Sequence, residues 1–274
     1  GEGATHGTVV IADSQTAGRG RLGRSFVSPA GSGLYMSIVL RPFEEVASCT
    51  SCAACADDIE ALYPEAAKKE MRFNPSLVTV AAGVAVVRAL KTICDIDAEI
   101  KWVNDILVND KKLCGILAEG MMNTCSGSLD AIILGIGINL KSPENGYPEE
   151  LRNIVTNIEE ILSHKSHEHM MMCIELRNQL AFEITSNVLA LLSVEVSDEE
   201  LISEYRAHCS TIGQDIFVYK KGLDGDATPA KAIDIDKDGG LIVQYESTDP
   251  DIPGITETLT FGEISIRPAA CTQK

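Results

Sequence analysis

Residues 15–24 read Gln-Thr-Ala-Gly-Arg-Gly-Arg-Leu-Gly-Arg and follow a short β-branched run at residues 8–12. A second apolar run at residues 34–40 predicts that the arginine-rich stretch is a loop between two buried strands. Glycine lets the backbone approach a ligand closely, and arginine offers fixed positive charge with forked donors that match phosphate or carboxylate oxygens. The stretch therefore predicts a binding loop for a phosphate-bearing small molecule, most simply a nucleotide.

The overall charge of the chain argues against a nucleic acid as that ligand. An RGG-like segment that touches nucleic acid through nonspecific charge is the alternative interpretation of the loop. The chain carries 40 acidic and 23 basic residues, for a net charge of −17. A surface of that sign repels a polyphosphate backbone, whereas a local pocket for one small anion is compatible with it.

Composition and length predict a globular protein with one large and one small domain. The chain has 274 residues, of which 45% are hydrophobic, which is enough for a sizeable core. Its longest apolar stretch, residues 77–90, is interrupted by Arg88 and predicts a buried helix, so we expect no membrane span. No secretory signal is expected after the opening Gly-Glu-Gly, and nine scattered cysteines suit a reducing cytoplasm.

The order of apolar runs and turn signals predicts two domains. Residues 1–208 are expected to form the larger one, with an irregular insertion at about residues 43–75. Within it, strands are predicted at residues 100–108, 113–118 and 130–140, followed by helical periodicity over residues 157–208. Residues 209–274 are expected to form a small barrel from closely spaced strands at residues 215–219, 230–236, 241–245 and 257–260.

Three further segments follow the arginine-rich stretch in a recognisable order. They are Lys-Trp-Val-Asn-Asp at residues 101–105, Lys-Leu-Cys-Gly-Ile-Leu-Ala-Glu at 112–119 and Gly-Ile-Gly-Ile-Asn at 135–139. Together with the arginine-rich stretch at residues 15–24, they closely resemble the biotin protein ligases. Gly-Glu-Ile-Ser-Ile-Arg at residues 262–267 resembles the end of that family's small C-terminal domain. The resemblance covers about residues 7–42 and 76–268, and four ordered motifs make it far more specific than any one of them.

The resemblance implies an α+β fold with a mixed sheet flanked by helices, as in class II aminoacyl-tRNA synthetases, followed by an SH3-like C-terminal barrel. It also implies a two-step reaction that uses biotin, ATP and Mg²⁺. Biotin is first activated as biotinyl-5′-AMP, and a lysine of a biotin carboxyl carrier domain then accepts the biotinyl group. No enzyme nucleophile is needed.

Matching the motifs residue by residue implies a set of site residues. Arg21 and Lys112 would bridge the biotin carboxylate and the α-phosphate, while Asp105 would orient Lys112 or take a proton from the acceptor lysine. These three are the predicted catalytic residues. The implied biotin-binding residues are Gln15, Gly18, Arg19, Gly20, Arg21, Lys112, Gly115 and Gly137. The implied ATP-binding residues are Arg24, Phe26, Trp102, Asn104, Asn139 and Arg267.

Each of these assignments has a plainer alternative. Asp105 could be a strand-end aspartate that only pairs with a neighbouring lysine. The two asparagines could make ordinary turn hydrogen bonds, the glycines could serve tight packing, and Trp102 could be a core residue. Arg267 could form an exposed salt bridge.

Two side-chain clusters could suggest a metal, but we predict none. Cys49, Cys52 and Cys55 have a C-x-x-C-x-x-C spacing without a fourth ligand at matching distance. Three histidines within six residues fall in a polar helix connection, which favours a solvated loop: His164, His167 and His169.

The sequence also departs from the family pattern. The Ser-Thr-Asn stretch that lines the biotin pocket in family members does not occur in these 274 residues, so we hypothesise weak biotin binding. A nucleotide-binding or carrier-docking protein with impaired ligase activity is therefore the second functional hypothesis, and a lipoate ligase the third. Dimerisation through an edge strand near residues 135–140 is a further expectation.

Overall fold

The computed structural model describes residues 3–45, 69–123, 127–163, 173–219, 226–246, 254–260 and 265–268. Its largest element is a six-stranded sheet with the strand order β1-β2-β8-β7-β6-β5. The strands are β1 (Val9–Ala12), β2 (Gly33–Leu40), β5 (Glu99–Lys101), β6 (Asp105–Val108), β7 (Lys111–Met122) and β8 (Leu129–Asn139). A separate two-stranded ribbon pairs β3 (Phe43–Glu45) with β4 (Lys69–Met71) at the two ends of the expected insertion.

The α+β class is confirmed, but the expected mixed sheet is antiparallel at every strand pair. Strands β5 to β8 follow one another along the chain and pair as neighbours, whereas parallel neighbours would need crossover connections. The predicted hairpin turn is present at Asn109 and Asp110, whose φ angles are 51° and 62°. Both are positive, as a two-residue turn between twisted strands requires.

Two strand predictions need correction. The single strand expected at residues 100–108 is two strands, because residues 102–104 form a turn between β5 and β6. The strand at residues 135–140 was expected near an edge of the sheet, yet β8 lies inside it and pairs with β2 on one side and β7 on the other. Its backbone groups are therefore committed within the chain, and this strand offers no edge for a second subunit.

In the part of the chain that the structure describes, four helices accompany the sheet: α1 (Val78–Cys94), α2 (Ile158–Ser163), α3 (Cys173–Leu191) and α4 (Asp198–His208). Helix α1 packs against β5, β6 and β7 and also against α3 and α4. It is almost wholly apolar and mostly buried, and among the described residues the segment Pro75–Cys94 is long and apolar enough to span a membrane. Since most of this segment is buried inside the protein, its apolar side chains supply the core between sheet and helices.

The C-terminal strands form a second, five-stranded antiparallel sheet in the order β12-β11-β10-β9-β13. They are β9 (Asp215–Tyr219), β10 (Ala227–Ile235), β11 (Leu241–Tyr245), β12 (Thr256–Leu259) and β13 (Ser265–Pro268). This bears out the four β segments predicted there and adds a fifth. The SH3-like assignment of this sheet and the domain boundaries stay predictions.

Several predictions fall outside the described residues. These include the cysteine cluster at Cys49, Cys52 and Cys55 and the three histidines at His164, His167 and His169. Within the described parts of the chain, no three His, Cys, Asp or Glu side chains come together as a metal site.

Candidate active site

The arginine-rich stretch lies in a loop, residues 13–31, which we call the arginine loop. Its two sides are held together by hydrogen bonds from Gln15 N to Ser28 O at 3.0 Å and from Phe26 N to Gly18 O at 2.8 Å. The Ser28 hydroxyl adds a bond to Gln15 Oε1 at 2.7 Å. The loop therefore has a defined shape of its own and presents its arginines from a closed hairpin-like frame.

Gly18 is required by that frame. A Cβ atom at this position would lie 2.3 Å from the carbonyl oxygen of Phe26 and 2.8 Å from Ser28 Oγ. Those distances are far shorter than van der Waals contact, so a side chain would force the two sides of the loop apart. The structure thus gives Gly18 a packing role, beside its predicted role in binding biotin.

Lys112 and Asp105 form the tightest polar contact of the predicted site. The Lys112 ammonium lies 2.6 Å from Asp105 Oδ1, and both side chains are about two-thirds buried. This pairing is common to both interpretations of Asp105, the catalytic one and the structural one. It fixes the position of a positive charge at the start of β7.

A β-bulge makes this pairing possible. Asp105 pairs with Gly115, but Leu107 pairs with Lys112, so that Leu113 is an extra residue on β7. In a regular ladder Lys112 would lie opposite Val108 and share its buried face, since paired residues point to the same side. The bulge instead brings Lys112 onto the face of Asp105, a use of bulges that is common beside active sites.

Arg21 approaches this pair from the arginine loop. Its Nη1 lies 3.4 Å from Asn104 Oδ1. Burial lowers the pKa of the Arg21 guanidinium, while the nearby carboxylate of Asp105 opposes that shift and Arg24 adds to it. An arginine with a depressed pKa still stays protonated near neutrality, so Arg21 and Lys112 place two cations beside one carboxylate.

The turn at residues 102–104 is braced from several directions. Asn104 Nδ2 donates to Ile116 O at 2.9 Å, and the Tyr205 hydroxyl of α4 donates to Val103 O at 3.3 Å. Trp102 is 4% exposed, and its Nε1 donates at 3.0 Å to Gly239 O, in the turn between β10 and β11 of the C-terminal sheet. This placement favours the core interpretation of Trp102, and its predicted contact with ATP is untested.

Gly115 and Gly137 lie directly opposite each other on β7 and β8. The ring of Phe26 covers both, because Cβ atoms there would lie 3.1 Å and 2.6 Å from its ring carbons. The same ring makes an edge-to-face contact with Tyr35 at 6.4 Å. In this structure the paired glycines therefore accommodate an aromatic side chain, and they form a flat floor beside Lys112.

The other predicted residues lie at varying distances from this centre. Arg19 makes a 3.0 Å ion pair with Glu119 that is largely exposed, and Arg24 is exposed. Asn139 Nδ2 donates to Thr156 O at 3.0 Å, in line with an ordinary structural hydrogen bond. Arg267 lies in β13, and its side chain is outside the described part of the structure.

The structure thus brings Arg21, Asn104, Asp105 and Lys112 together, beside the two glycines that Phe26 covers. Two supporting residues escaped sequence reasoning: Tyr35, an alternating position in an apolar strand, and Tyr205, an aromatic residue in an acidic helix. Neither carries a local signal of its role. A cleft of about 290 Å³ elsewhere contains none of the predicted site residues and is lined by His6, Met71, Arg72, Phe73, Leu189, Leu192, Ser193 and Val194.

An α+β protein with two cations and a carboxylate on the open face of an antiparallel sheet is suited to a small anionic ligand. Comparison with known proteins makes this class specific. A model of the Biotin/lipoate A/B protein ligase family matches residues 2–139, and the chain belongs to this family.

Two relatives and one solved structure illustrate the similarity. The bifunctional ligase/repressor BirA of Bacillus subtilis is 36% identical over 179 residues, which cover 64% of this chain and 46% of that protein. The biotin–[acetyl-CoA-carboxylase] ligase of Mycobacterium tuberculosis is 25% identical over 94% of this chain and 78% of its own length. The biotin protein ligase from Aquifex aeolicus in complex with biotin and ATP superposes with a TM-score of 0.66 at 26% identity, covering 97% of this chain and 91% of that chain. The chain spans somewhat less than half the length of its Bacillus relative.

Proposed function

We propose that this chain is an ATP-dependent ligase that activates biotin and transfers it to a lysine of a biotin carboxyl carrier protein. In the first step a biotin carboxylate oxygen attacks the α-phosphorus of ATP, and pyrophosphate leaves. In the second step the neutral amine of the carrier lysine attacks the acyl carbon of biotinyl-5′-AMP, and AMP leaves. The amine gives up one proton in the process.

The observation that carries this proposal is the convergence of Arg21 and Lys112 beside Asp105. The first step joins a carboxylate to a triphosphate, so the two anions repel each other unless fixed cations lie between them. The arginine loop and the bulged start of β7 deliver one cation each to the same place. Because Asp105 holds Lys112, the lysine charge is oriented before any ligand arrives.

Asp105 also suits a role in the second step. The carrier lysine must lose its proton before it can attack, because an ammonium group has no lone pair. In this proposal the Asp105 carboxylate, which is hydrogen-bonded to Lys112, accepts or relays that proton. We therefore keep Asp105 in both roles, orientation of Lys112 and proton acceptance.

Magnesium enters the proposal as the ion bound by the phosphates of ATP. Mg²⁺ in such sites takes one or two carboxylates and otherwise keeps substrate oxygens and waters. The described residues contain no group of three His, Cys, Asp or Glu side chains suited to a metal, and the carboxylate of Asp105 is engaged with Lys112. We therefore assign no protein cage to the ion.

The test is incubation of the chain with biotin, Mg-ATP and a biotin carboxyl carrier domain, read by the mass added to the carrier. We expect labelling, and Lys112→Met should reduce its rate by about a hundredfold through loss of transition-state charge stabilisation. Lys111→Met is the matched control, since that neighbouring lysine makes its ion pair with Glu160, at 3.5 Å, and not with Asp105. It should change the rate by less than about twofold.

The alternatives give different results in the same assay. An unlabelled carrier together with measurable nucleotide binding would favour the binding-only hypothesis. Competition between biotin and lipoate would identify a lipoate ligase, which the relatives named above and the arginine loop disfavour. Homodimerisation and a cytoplasmic location stay predictions.

A further inference from the structure

Arg177 of helix α3 contacts the base of the arginine loop across 164 positions of sequence. Its Nη1 lies 2.7 Å from Asp13 Oδ1, and its Nη2 donates to Ala12 O at 2.8 Å. The arginine side chain is only 20% exposed, although Asp13 is largely in solvent. Ala12 is the last residue of β1 and Asp13 is the first residue of the loop. One guanidinium therefore forms hydrogen bonds with the residues on both sides of that junction.

The junction is also where the arginine loop closes. The carbonyl of Asp13 accepts a hydrogen bond from Gly31 N at 3.4 Å. Two residues later, Gln15 makes the first of the hydrogen bonds that hold the two sides of the loop together. Helix α3 is a rigid support, because its Leu180, Ile184 and Val188 are fully buried. Arg177 therefore ties the entry of a surface loop to the core of the protein.

We propose that Arg177 is a positioning residue, which fixes the arginine loop so that Arg21 reaches the Lys112–Asp105 pair. Arg21 meets Asn104 at 3.4 Å, a distance at which a small displacement of the loop breaks the contact. The predicted effect on catalysis rests on the proposed function, whereas the predicted effect on the loop does not.

Limited trypsin digestion measures the loop directly, because Arg19, Arg21 and Arg24 are cleavage sites within it. In Arg177→Met we expect cleavage at these three sites to rise by about tenfold relative to sites elsewhere, the order expected when charge-assisted hydrogen bonds are lost. A lysine in Arg177→Lys can replace one of the two hydrogen bonds but cannot make both as a guanidinium does, so this variant should show an intermediate rate of loop cleavage.

Arg88→Met is the matched control. Arg88 of α1 makes an equivalent ion pair with Glu204 of α4, with Nε to Oε1 at 2.7 Å, and so joins two helices without touching the loop. It should lower thermal stability as Arg177→Met does, yet leave the loop sites as resistant as in the parent chain. Equal loop cleavage in both variants, or none above the parent in Arg177→Met, would overturn the proposal.

A ligand readout separates this inference from the proposed function. With biotin and Mg-ATP, we expect Arg177→Met to raise the KM for biotin by about tenfold and to lower kcat by a smaller factor, because the loosened loop can still bring Arg21 to the site part of the time. If Arg177→Met is cleaved faster but the parent chain has no ligase activity, the role of Arg177 in holding the loop is supported and the proposed function is rejected. Faster cleavage with an unchanged KM would reject the positioning role.

Discussion

At the scale of single residues, the site depends on where the backbone turns a few side chains. The sequence motifs indicated Lys112 and Asp105 separately, and their contact at 2.6 Å exists because Leu113 is an extra residue in the β6–β7 ladder. The Arg21 guanidinium is partly buried beside them, which lowers its pKa without discharging it. Fixed charges held in place before the ligand binds are what electrostatic catalysis requires.

A prediction at this scale concerns the glycines under Phe26. In Gly137→Ala the new methyl would lie 2.6 Å from two ring carbons, so the ring must move and the free energy of unfolding should fall by about 1–3 kcal/mol. Gly135→Ala is the control on the same strand, since its nearest neighbour would be Leu117 O at an ordinary 3.5 Å. Urea denaturation of both variants checks this, and equal stabilities would contradict the placement of Phe26.

At the scale of elements, local sequence signals determine where a helix begins, and long-range contacts determine what it supports. Helix α4 begins with a complete capping box, in which Ser197 Oγ accepts from Glu200 N and Glu200 Oε2 accepts from Ser197 N. The same helix places Tyr205 under the turn at residues 102–104 and pairs Glu204 with Arg88 of α1. A well-defined helix start therefore also sets the register of contacts that support the site.

Breaking the capping box gives a prediction for this helix. Ser197→Ala should lower the free energy of unfolding by about 1 kcal/mol. The bonds from Ser197 lower the pKa of Glu200 in the folded state, so the stabilisation they provide is present above the ordinary glutamate pKa and is lost as the pH falls through the folded value. Denaturant unfolding between about pH 6 and 3 should show a weaker acid dependence in the variant.

The control for the capping variant is Ser186→Ala, at an exposed position in α3. Alanine is the better helix former in a helix interior, so this change should be neutral or slightly stabilising. If both variants lost the same stability, the capping box would not be the cause.

At the scale of the whole molecule, the two sheets are joined at the back of the site. Trp102 Nε1 donates to Gly239 O, and Arg206 of α4 bonds to the carbonyl of Ile235 and to Asp234. Residue Cys209 pairs with Ile100 at the outer edge of β5. The C-terminal strands are thus connected to the turn that presents Asn104, so disturbance of either part is expected to reach the other.

The buried cysteines give a prediction for the intact fold. Burial raises the pKa of the thiols of Cys94, to about 11, and of Cys114 and Cys209. Fewer thiolates form in the folded protein, so these three should resist iodoacetamide at pH 8 and react once urea unfolds the chain. Peptide mass spectrometry with and without urea checks this, and rapid native alkylation of Cys114 would contradict its burial beside the site.

Raised thiol pKa values also have a consequence for alkaline stability. A group whose pKa is higher in the folded state stabilises the fold below the unfolded pKa, and this contribution disappears as the pH rises towards the folded value. We therefore expect stability to decline above the ordinary thiol pKa of about 8.5.

Much of this protein follows from its sequence alone. The apolar runs determined most strands and the core helix, because a two-residue or near four-residue period directly reflects which face is buried. The four ordered motifs determined the family, and the local excess of arginine in an acidic chain predicts a small anion as the ligand.

Other features were decided only by the tertiary structure. Nothing in the local pattern marks the bulge at Leu113, the central position of β8 or the contact between Arg177 and Asp13, because each depends on which distant segments become neighbours. The environment of Trp102 was also decided by distant segments. Its motif indicated a ligand contact, whereas its indole N–H donates to Gly239 O in the C-terminal region. Sequence period fixes which side of an element is buried, but only packing fixes what lies against it.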